Sequence, residues 1–185
     1  MKKNIVRFML FCLIAIFSGV GYRLSAYAAE PVAPPGEIGS QLPTFTVQDL
    51  NGKTISSAEL KGKVVLIDFW ATWCQPCKKE MPGYQKLADQ YGAKGFRVIG
   101  FKADVMRDQI DPKLFVRQLG IHYPIAVGNQ ELRNKFGGIE GLPTTMIYDR
   151  DGILRSKIIG FEYTNVIESS IKPLLEIAER RTSSK

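Results

Sequence analysis

The chain has 185 residues, 45% apolar and 23% charged, enough for one ordinary domain with a real core plus a short appendage. Its formal charge of +7 is uneven: Lys2, Lys3, Arg7 and Arg23 lie in the first 28 residues, which hold no acid. The remainder sets 21 basic against 18 acidic residues, a scattered balance of +3 that speaks against the clustered basic face of a nucleic-acid binder. Three basic residues, an apolar run over residues 8–22 and then Ala26-Tyr27-Ala28 before Ala29 give the order of a secretory signal peptide cleaved after Ala28. An uncleaved membrane anchor is the rival reading for residues 1–28. Fifteen apolar residues are short for roughly 30 Å of hydrocarbon, although Arg23 can snorkel. Either way the basic end stays inside, and the folded part is expected outside the cytoplasm, in a periplasmic or equivalent space.

Residues 29–39 carry Pro31, Pro34, Pro35 and two glycines and read as an extended linker, followed by a domain over 40–180 and a frayed tail over 181–185. Residues 45–48 and 54–55 flank Asn51-Gly52, a strong hairpin signal. Ser57-Ala58-Glu59-Leu60 reads as one helical turn ended by Gly62. Residues 64–69 are apolar on both faces apart from Asp68, as in a central strand covered on both sides. Met81, Tyr84, Leu87, Ala88 and Tyr91 recur at helical spacing over 77–93, with Pro82 expected to kink the helix. Then come a strand over 96–101, a helix over 112–119 stopped by Gly120, a strand over 123–127 and a short helix over 131–136. Residues 145–148 and 153–159 flank Asp149-Arg150-Asp151-Gly152 as a hairpin, and Thr164 can cap a last helix running to about residue 179.

Between the strand at 64–69 and the helix lies Trp70-Ala71-Thr72-Trp73-Cys74-Gln75-Pro76-Cys77-Lys78-Lys79-Glu80. Two cysteines separated by two residues at a strand-to-helix junction put the first sulfur at a helix N-terminus. There the unpaired N–H groups and the dipole favour a thiolate. The second cysteine follows one turn on, close enough to close a short disulfide. Zinc needs about four ligands, and the chain offers beyond this pair only Cys12, inside the apolar run, and His122, so no metal or other cofactor is expected. An exported domain that gathers its only two cysteines into one motif points to redox chemistry rather than to structural bridges.

Asp68-Phe69-Trp70-Ala71-Thr72-Trp73-Cys74-Gln75-Pro76-Cys77, the later Gly141-Leu142-Pro143-Thr144-Thr145, and the order of elements between and after them resemble the thioredoxin superfamily. More narrowly, over residues 38–178, they resemble its extracytoplasmic thiol-disulfide oxidoreductases of the TlpA/ResA type. The resemblance implies an α/β, thioredoxin-like fold: a central mixed sheet flanked by helices, with an N-terminal β-hairpin and an inserted helix-strand unit between residues 102 and 127. It implies Cys74 as the attacking nucleophile and Cys77 as the resolving thiol. Asp68 stands where cytoplasmic thioredoxins carry a buried aspartate, and Glu80 matches an acid found near the site in ResA-like proteins. Holding both is a departure, since many of that branch carry an amide at the position of Asp68, and which of the two handles the proton stays open. Pro143 matches a cis proline that faces the sulfurs, with Leu142 offering backbone groups to an extended substrate. Trp73 would cap the sulfur and Trp70 pack beneath it. Lys78 and Lys79 add positive charge in the first turn, and His122 reads as structural.

The activity implied is dithiol-disulfide exchange with disulfides of exported proteins, driven by a membrane thiol-disulfide electron donor. Apocytochrome c is one client class, in cytochrome c maturation, and the membrane itself is a contact if residues 1–28 stay attached. Neutral Gln75 followed by Pro76 lacks the cationic support of a strong oxidant and favours a reductant. Two alternatives compete. A peroxiredoxin-like peroxidase wants a Thr two residues before its cysteine, which Thr72 meets, and a Pro four residues earlier, where this chain has Asp68. A copper chaperone wants cysteines three apart with a late His, and neither is present.

Overall fold

The computed structural model describes residues 33–103 and 110–183, with side chains up to residue 176; the segment read as signal peptide or anchor, residues 1–28, lies outside the described residues. Strands β1 (Thr46–Gln48) and β2 (Thr54–Ser56) form the antiparallel hairpin expected around Asn51-Gly52, followed by a single 3-10 turn, Ser57–Leu60. Then come β3 (Val64–Trp70), helix α1 (Gln75–Tyr91), β4 (Phe96–Lys102), α2 (Pro112–Gln118), β5 (Ile125–Val127), α3 (Gln130–Lys135), β6 (Thr144–Tyr148), β7 (Leu154–Ile159) and α4 (Thr164–Ser183). Among the described residues, five strands make one mixed sheet in the order β5-β4-β3-β6-β7, with β3 parallel to β4 and antiparallel to β6. The hairpin stands apart as its own two-stranded sheet, and α2 with β5 is the inserted unit.

An apolar strand with neighbours on both sides must be covered on both faces, and every residue of β3 is buried. Side chains alternate along it. Val65, Ile67 and Phe69 join Phe45, Phe101, Phe136 and Tyr148 on one face, where Phe69 meets Phe136 edge-on with ring centroids 5.2 Å apart. Val64, Leu66 and Trp70 join Cys77, Met81, Tyr84 and Leu87 of α1, and Ile167 and Ile171 of α4, on the other. Asp68 shares the parity of Leu66 and Trp70, which turns its carboxyl toward α1. The alternation thus decides that the one acid of the central strand faces the helix bearing the cysteines.

Three boundaries differ from the sequence reading. Residues 34–39, read as part of an extended linker, turn back onto the domain. The Glu37 N–H donates to the Pro34 carbonyl at 3.1 Å, the Gly39 N–H to the Leu154 carbonyl at 2.9 Å, and Leu154 returns a bond to Ser40 at 2.8 Å. Unpaired backbone groups at the start of β7 account for this, since they gain partners by catching the passing chain. Strand β5 begins at Ile125 rather than residue 123, because Pro124 has no N–H to give to a ladder. Helix α4 runs on through Ser183, past the expected end near residue 179 and into the segment read as a tail.

Helices α1 and α4 meet at Gly83. A Cβ there would lie 2.0 Å from Thr164 Oγ1 and 3.1 Å from Thr164 Cβ, so turning the hydroxyl away still leaves a tight contact that the backbone must relieve. Gly83→Ala would ordinarily gain up to ~1 kcal/mol of helix propensity. Here the overpacking, ~1–3 kcal/mol, outweighs it, and a thermal melt of this variant should show a lower midpoint than the parent.

Candidate active site

Cys74 is the N-cap of α1, in extended conformation, and its sulfur accepts the N–H of Cys77 at 3.3 Å. Pro76 falls in the first turn, where a missing N–H costs nothing because that group has no helical partner anyway. The two sulfurs are bonded, S–S 2.04 Å with the Cα atoms 5.3 Å apart. Cys77 is fully buried and Cys74 only 3% exposed. An N–H at a helix start, aimed at the Cys74 sulfur, becomes a charge-assisted donor once the disulfide opens and that sulfur carries charge. Lys78 holds its ammonium 5.4 Å from the centre of the Phe115 ring, which stacks on buried Trp70 at 5.3 Å and 12°. Lys79 is exposed.

Two acids lie where β3 packs against α1, Asp68 on the strand and Glu80 on the helix three residues after Cys77. Asp68 and Glu80 are both buried, and none of their four carboxyl oxygens has a hydrogen-bond partner. Burial pushes Asp68 up to about 8. Glu80 is pushed up to about 9, first by burial and then by the negative charge of Asp68. The Glu162 backbone and the Tyr84 hydroxyl oppose this more weakly, lying close to Glu80 without the alignment of an ordinary hydrogen bond. The arrangement brings Asp68 and Glu80 together as one electrostatic unit. Burial thus disfavours the charged form of both carboxyls.

The acids have polar neighbours that sequence reasoning missed. Thr145 pairs with Asp68 across β6 and β3, and its Oγ1 lies 2.9 Å from the buried Tyr84 hydroxyl. Tyr123 is also buried, its hydroxyl has no partner, and the charge of Asp68 adds to burial in raising its pKa. Helical spacing marks Tyr84 only as apolar face. Its position four residues after Glu80 was the available clue, since such residues are neighbours on a helix surface. Tyr123 carries no local signal, because it comes from the inserted unit. His122 sits beside it on the surface, where Gln85 Oε1 accepts the backbone N–H of His122 at 2.6 Å and that of Tyr123 at 3.1 Å.

The Leu142-Pro143 peptide is cis. Its loop is pinned on two sides: Thr144 Oγ1 donates to the Gly141 carbonyl at 2.7 Å, and the Gly160 N–H donates to the Pro143 carbonyl at 2.8 Å. Trp73, next to Cys74, is exposed. A cavity of about 540 Å³ lined by Leu42, Lys61, Asp149 and Arg150 lies at the N-terminal end of β3. Cys74 follows the C-terminal end of that strand, so this cavity is remote from the chemistry.

A dithiol that closes on itself at a helix start, on a five-stranded mixed sheet, defines a protein-disulfide oxidoreductase with the expected thioredoxin fold. The chain belongs to the AhpC/TSA family, whose profile matches residues 38–157, and within it to the ResA-type thiol-disulfide oxidoreductases. It is 36% identical over 175 residues to thiol-disulfide oxidoreductase ResA of Bacillus thuringiensis strain Al Hakam, covering 94% of this chain and 99% of that one. ResA of Geobacillus thermodenitrificans strain NG80-2 is 30% identical over 165 residues, 87% and 92% of the two chains. Among solved structures, a thioredoxin family thiol:disulfide interchange protein from Chlorobium tepidum TLS is 31% identical, with a TM-score of 0.68 over 77% of this chain and 98% of that one.

Proposed function

We propose that this enzyme works as a reductant of disulfides in exported proteins, held outside the cytoplasm by residues 1–28 or released there by their cleavage, with residues 40–180 as the catalytic domain. The Cys74 thiolate attacks one sulfur of the client disulfide, and the other client sulfur leaves and takes up a proton. Cys77 then gives up its proton, attacks Cys74 and frees the second client sulfur. Two electrons have passed to the client, and the Cys74–Cys77 bond has formed. A membrane thiol-disulfide donor restores the dithiol. Apocytochrome c cysteines are one client class in this reading. Leu142 and Pro143 line the place where an extended client segment lies, and Trp73 borders it.

The single observation that carries this mechanism is the pair of buried acids, Asp68 on the strand that leads into the motif and Glu80 three residues after Cys77 on the same helix. A carboxyl lifted to the pKa range of a thiol, near 8.5, exchanges a proton with Cys77 at little cost, whereas an ordinary carboxyl is too weak a base. Neutral Gln75 and Pro76 between the cysteines add no cation that would hold the dithiol form and make an oxidant. The reduction potential of the Cys74–Cys77 couple tests the direction. A value near or below about −250 mV supports a reductant, and one near about −120 mV overturns it.

The AhpC/TSA match brings peroxide reduction as the competing reading. Bonding of Cys74 to a cysteine one turn away, and Asp68 in place of a proline, weigh against it. Insulin-disulfide reduction without peroxide consumption by the same purified protein is the expected outcome. Among the described residues no helix is long and apolar enough to cross a membrane.

A further inference from the structure

The inserted unit carries cations that the redox chemistry does not use. Lys113 and Arg117 stand four residues apart on α2, so both lie on one side of that helix, opposite Phe115. With His122 they rim a groove of about 230 Å³ between α2, the turn of the β1–β2 hairpin and the start of β5. Leu50, Ile121 and Ile125 give it an apolar floor, and among the described residues no carboxylate lines it. Its frame is fixed by hydrogen bonds. The Leu50 N–H donates to the Ile125 carbonyl at 2.8 Å, the Ile121 N–H donates to the Val116 carbonyl at 2.9 Å, and Gln85 of α1 holds the N–H groups of His122 and Tyr123.

One solvated cation on a surface is ordinary and means little. These are gathered over a recess. Elsewhere on the domain Lys135, Arg155 and Lys172 each find a carboxylate within 3.2 Å. Among the described residues, the side chains of Lys113, Arg117 and His122 have no hydrogen-bond or ion-pair partner. The two acids nearest the groove in sequence are occupied with backbone. Asp49 Oδ1 accepts the N–H groups of Asn51 and Lys53 at 2.8 Å each, and Asp111 Oδ1 accepts that of Lys113 at 2.8 Å. An apolar floor is thus joined to a rim of cations and an imidazole that favours negative charge. The volume falls short of the roughly 300–1,000 Å³ of small-molecule pockets, so the groove takes a side chain presented by a larger body that makes its other contacts elsewhere. A bilayer surface is flat and offers no side chain to a recess, which leaves a polypeptide.

We propose that this groove docks an acidic segment of a partner protein, with a large aliphatic side chain on the floor and a flanking carboxylate on Lys113 and Arg117. Phe115, on the other side of α2, stacks on Trp70 and lies under the Lys78 ammonium. One helix, about 10 Å thick, therefore separates the groove from the redox motif. A partner seated there keeps its disulfide within reach of Cys74 and is recognised by a part of its surface away from the sulfurs. That the partner exchanges electrons with Cys74 rests on the dithiol-exchange reading. The affinity for acidic segments does not.

The test has two arms. In the first, end-blocked, fluorescently labelled peptides are titrated with the purified protein and followed by anisotropy, one built of leucine, glutamate and aspartate, the other of serine and glycine. The acidic peptide should bind about tenfold more tightly, in line with two exposed ion pairs and one partly buried apolar side chain. The double variant Lys113→Glu, Arg117→Glu should lose that preference and favour a leucine-lysine peptide instead. Lys61→Ser, Lys94→Ser removes two exposed cations whose neighbouring carbonyls Arg150 ties together at the N-terminal end of β3, and should keep the preference. Equal binding of the acidic and neutral peptides by the parent, or an equal loss in the two double variants, overturns the groove. In the second arm the same two tails are joined to a disulfide-bearing peptide, with bis(2-hydroxyethyl) disulfide as a substrate without a tail. The acidic tail should raise kcat/KM about tenfold in the parent, through KM, and not in the charge-reversed variant, whose rate on the small disulfide should match the parent's. Tight binding with no effect of the tail on turnover overturns the redox-partner assignment and upholds the groove. Failure of the parent on every disulfide removes the redox reading, and the binding arm then decides the groove alone. Attachment to phosphatidylglycerol vesicles, or a concentration-dependent dimer, that the charge reversal abolishes would make a membrane or a second copy of the chain the occupant and overturn the partner assignment.

Discussion

Replacing Cys77 by serine should leave the enzyme covalently joined to its client. Cys74 in that variant still sits at the start of α1 with the N–H of residue 77 aimed at its sulfur, so it still attacks. With no second thiol, the mixed disulfide cannot be released. Multiple turnover should fall by at least about a thousandfold, while a reductant-sensitive adduct accumulates on non-reducing gels. Cys74→Ser should lose turnover to a similar extent and form no adduct. The position in the helix and the burial favour this polarity: Cys74 is the N-cap residue and 3% exposed, whereas Cys77 lies inside the helix with no exposure. An adduct trapped by Cys74→Ser but not by Cys77→Ser would reverse the two roles. Alkylation of reduced Cys74 at mildly acidic pH, faster than that of free cysteine, checks the thiolate independently.

The second large effect concerns the two acids and runs in opposite directions for stability and activity. In the unfolded chain these carboxyls ionise near 3.8 and 4.5, and in the oxidised fold only near 8 and 9. The folded state therefore holds more protons than the unfolded state between about pH 4 and pH 9. Stability is fully present on the acid side of this window, declines as pH rises through it and levels off above it. By linkage the decline is on the order of several kcal/mol for the pair. The double variant Asp68→Asn, Glu80→Gln cannot ionise at either position. Urea denaturation of the oxidised protein at pH 5 and pH 8 should show a marked loss for the parent and a much flatter dependence for the variant, which is the more stable of the two at pH 8. Its turnover should fall about a hundredfold, the lower end of what positioned acid-base groups contribute. A parent whose stability rises between pH 5 and pH 8 would show that the carboxyls are ionised in the fold, and the proton exchange with Cys77 would lose its basis.

What the sequence made legible was local. Residues 64–69 announce a covered strand by composition, Asn51-Gly52 announces a hairpin by turn chemistry, and the cysteine spacing places its own sulfurs. Each of these signals is complete within about a dozen residues. Asp68 and Glu80 could be nominated because they flank the motif, but the influence of one charge on the other depends on β3 packing under α1. Tyr84 and Thr145 are 61 residues apart, and nothing in either segment shows that one buried hydroxyl will satisfy the other. The same reason hid the place of the segment joining β7 to α4. As sequence it ends a strand and begins a helix, and only the bond from the Gly160 N–H to the Pro143 carbonyl and the Glu162 backbone beside Glu80 tie it to the cis-proline loop and the buried acid. Residues 34–39 erred the other way, since proline and glycine content reports freedom of the isolated chain and not the carbonyl of Leu154 that captures it.

The 3% exposure of Cys74 also sorts molecules by shape. Reaction at so enclosed a residue should favour a disulfide that protrudes, on a hinge, a tail or a chain not yet folded, over a bridge sunk in a finished globule.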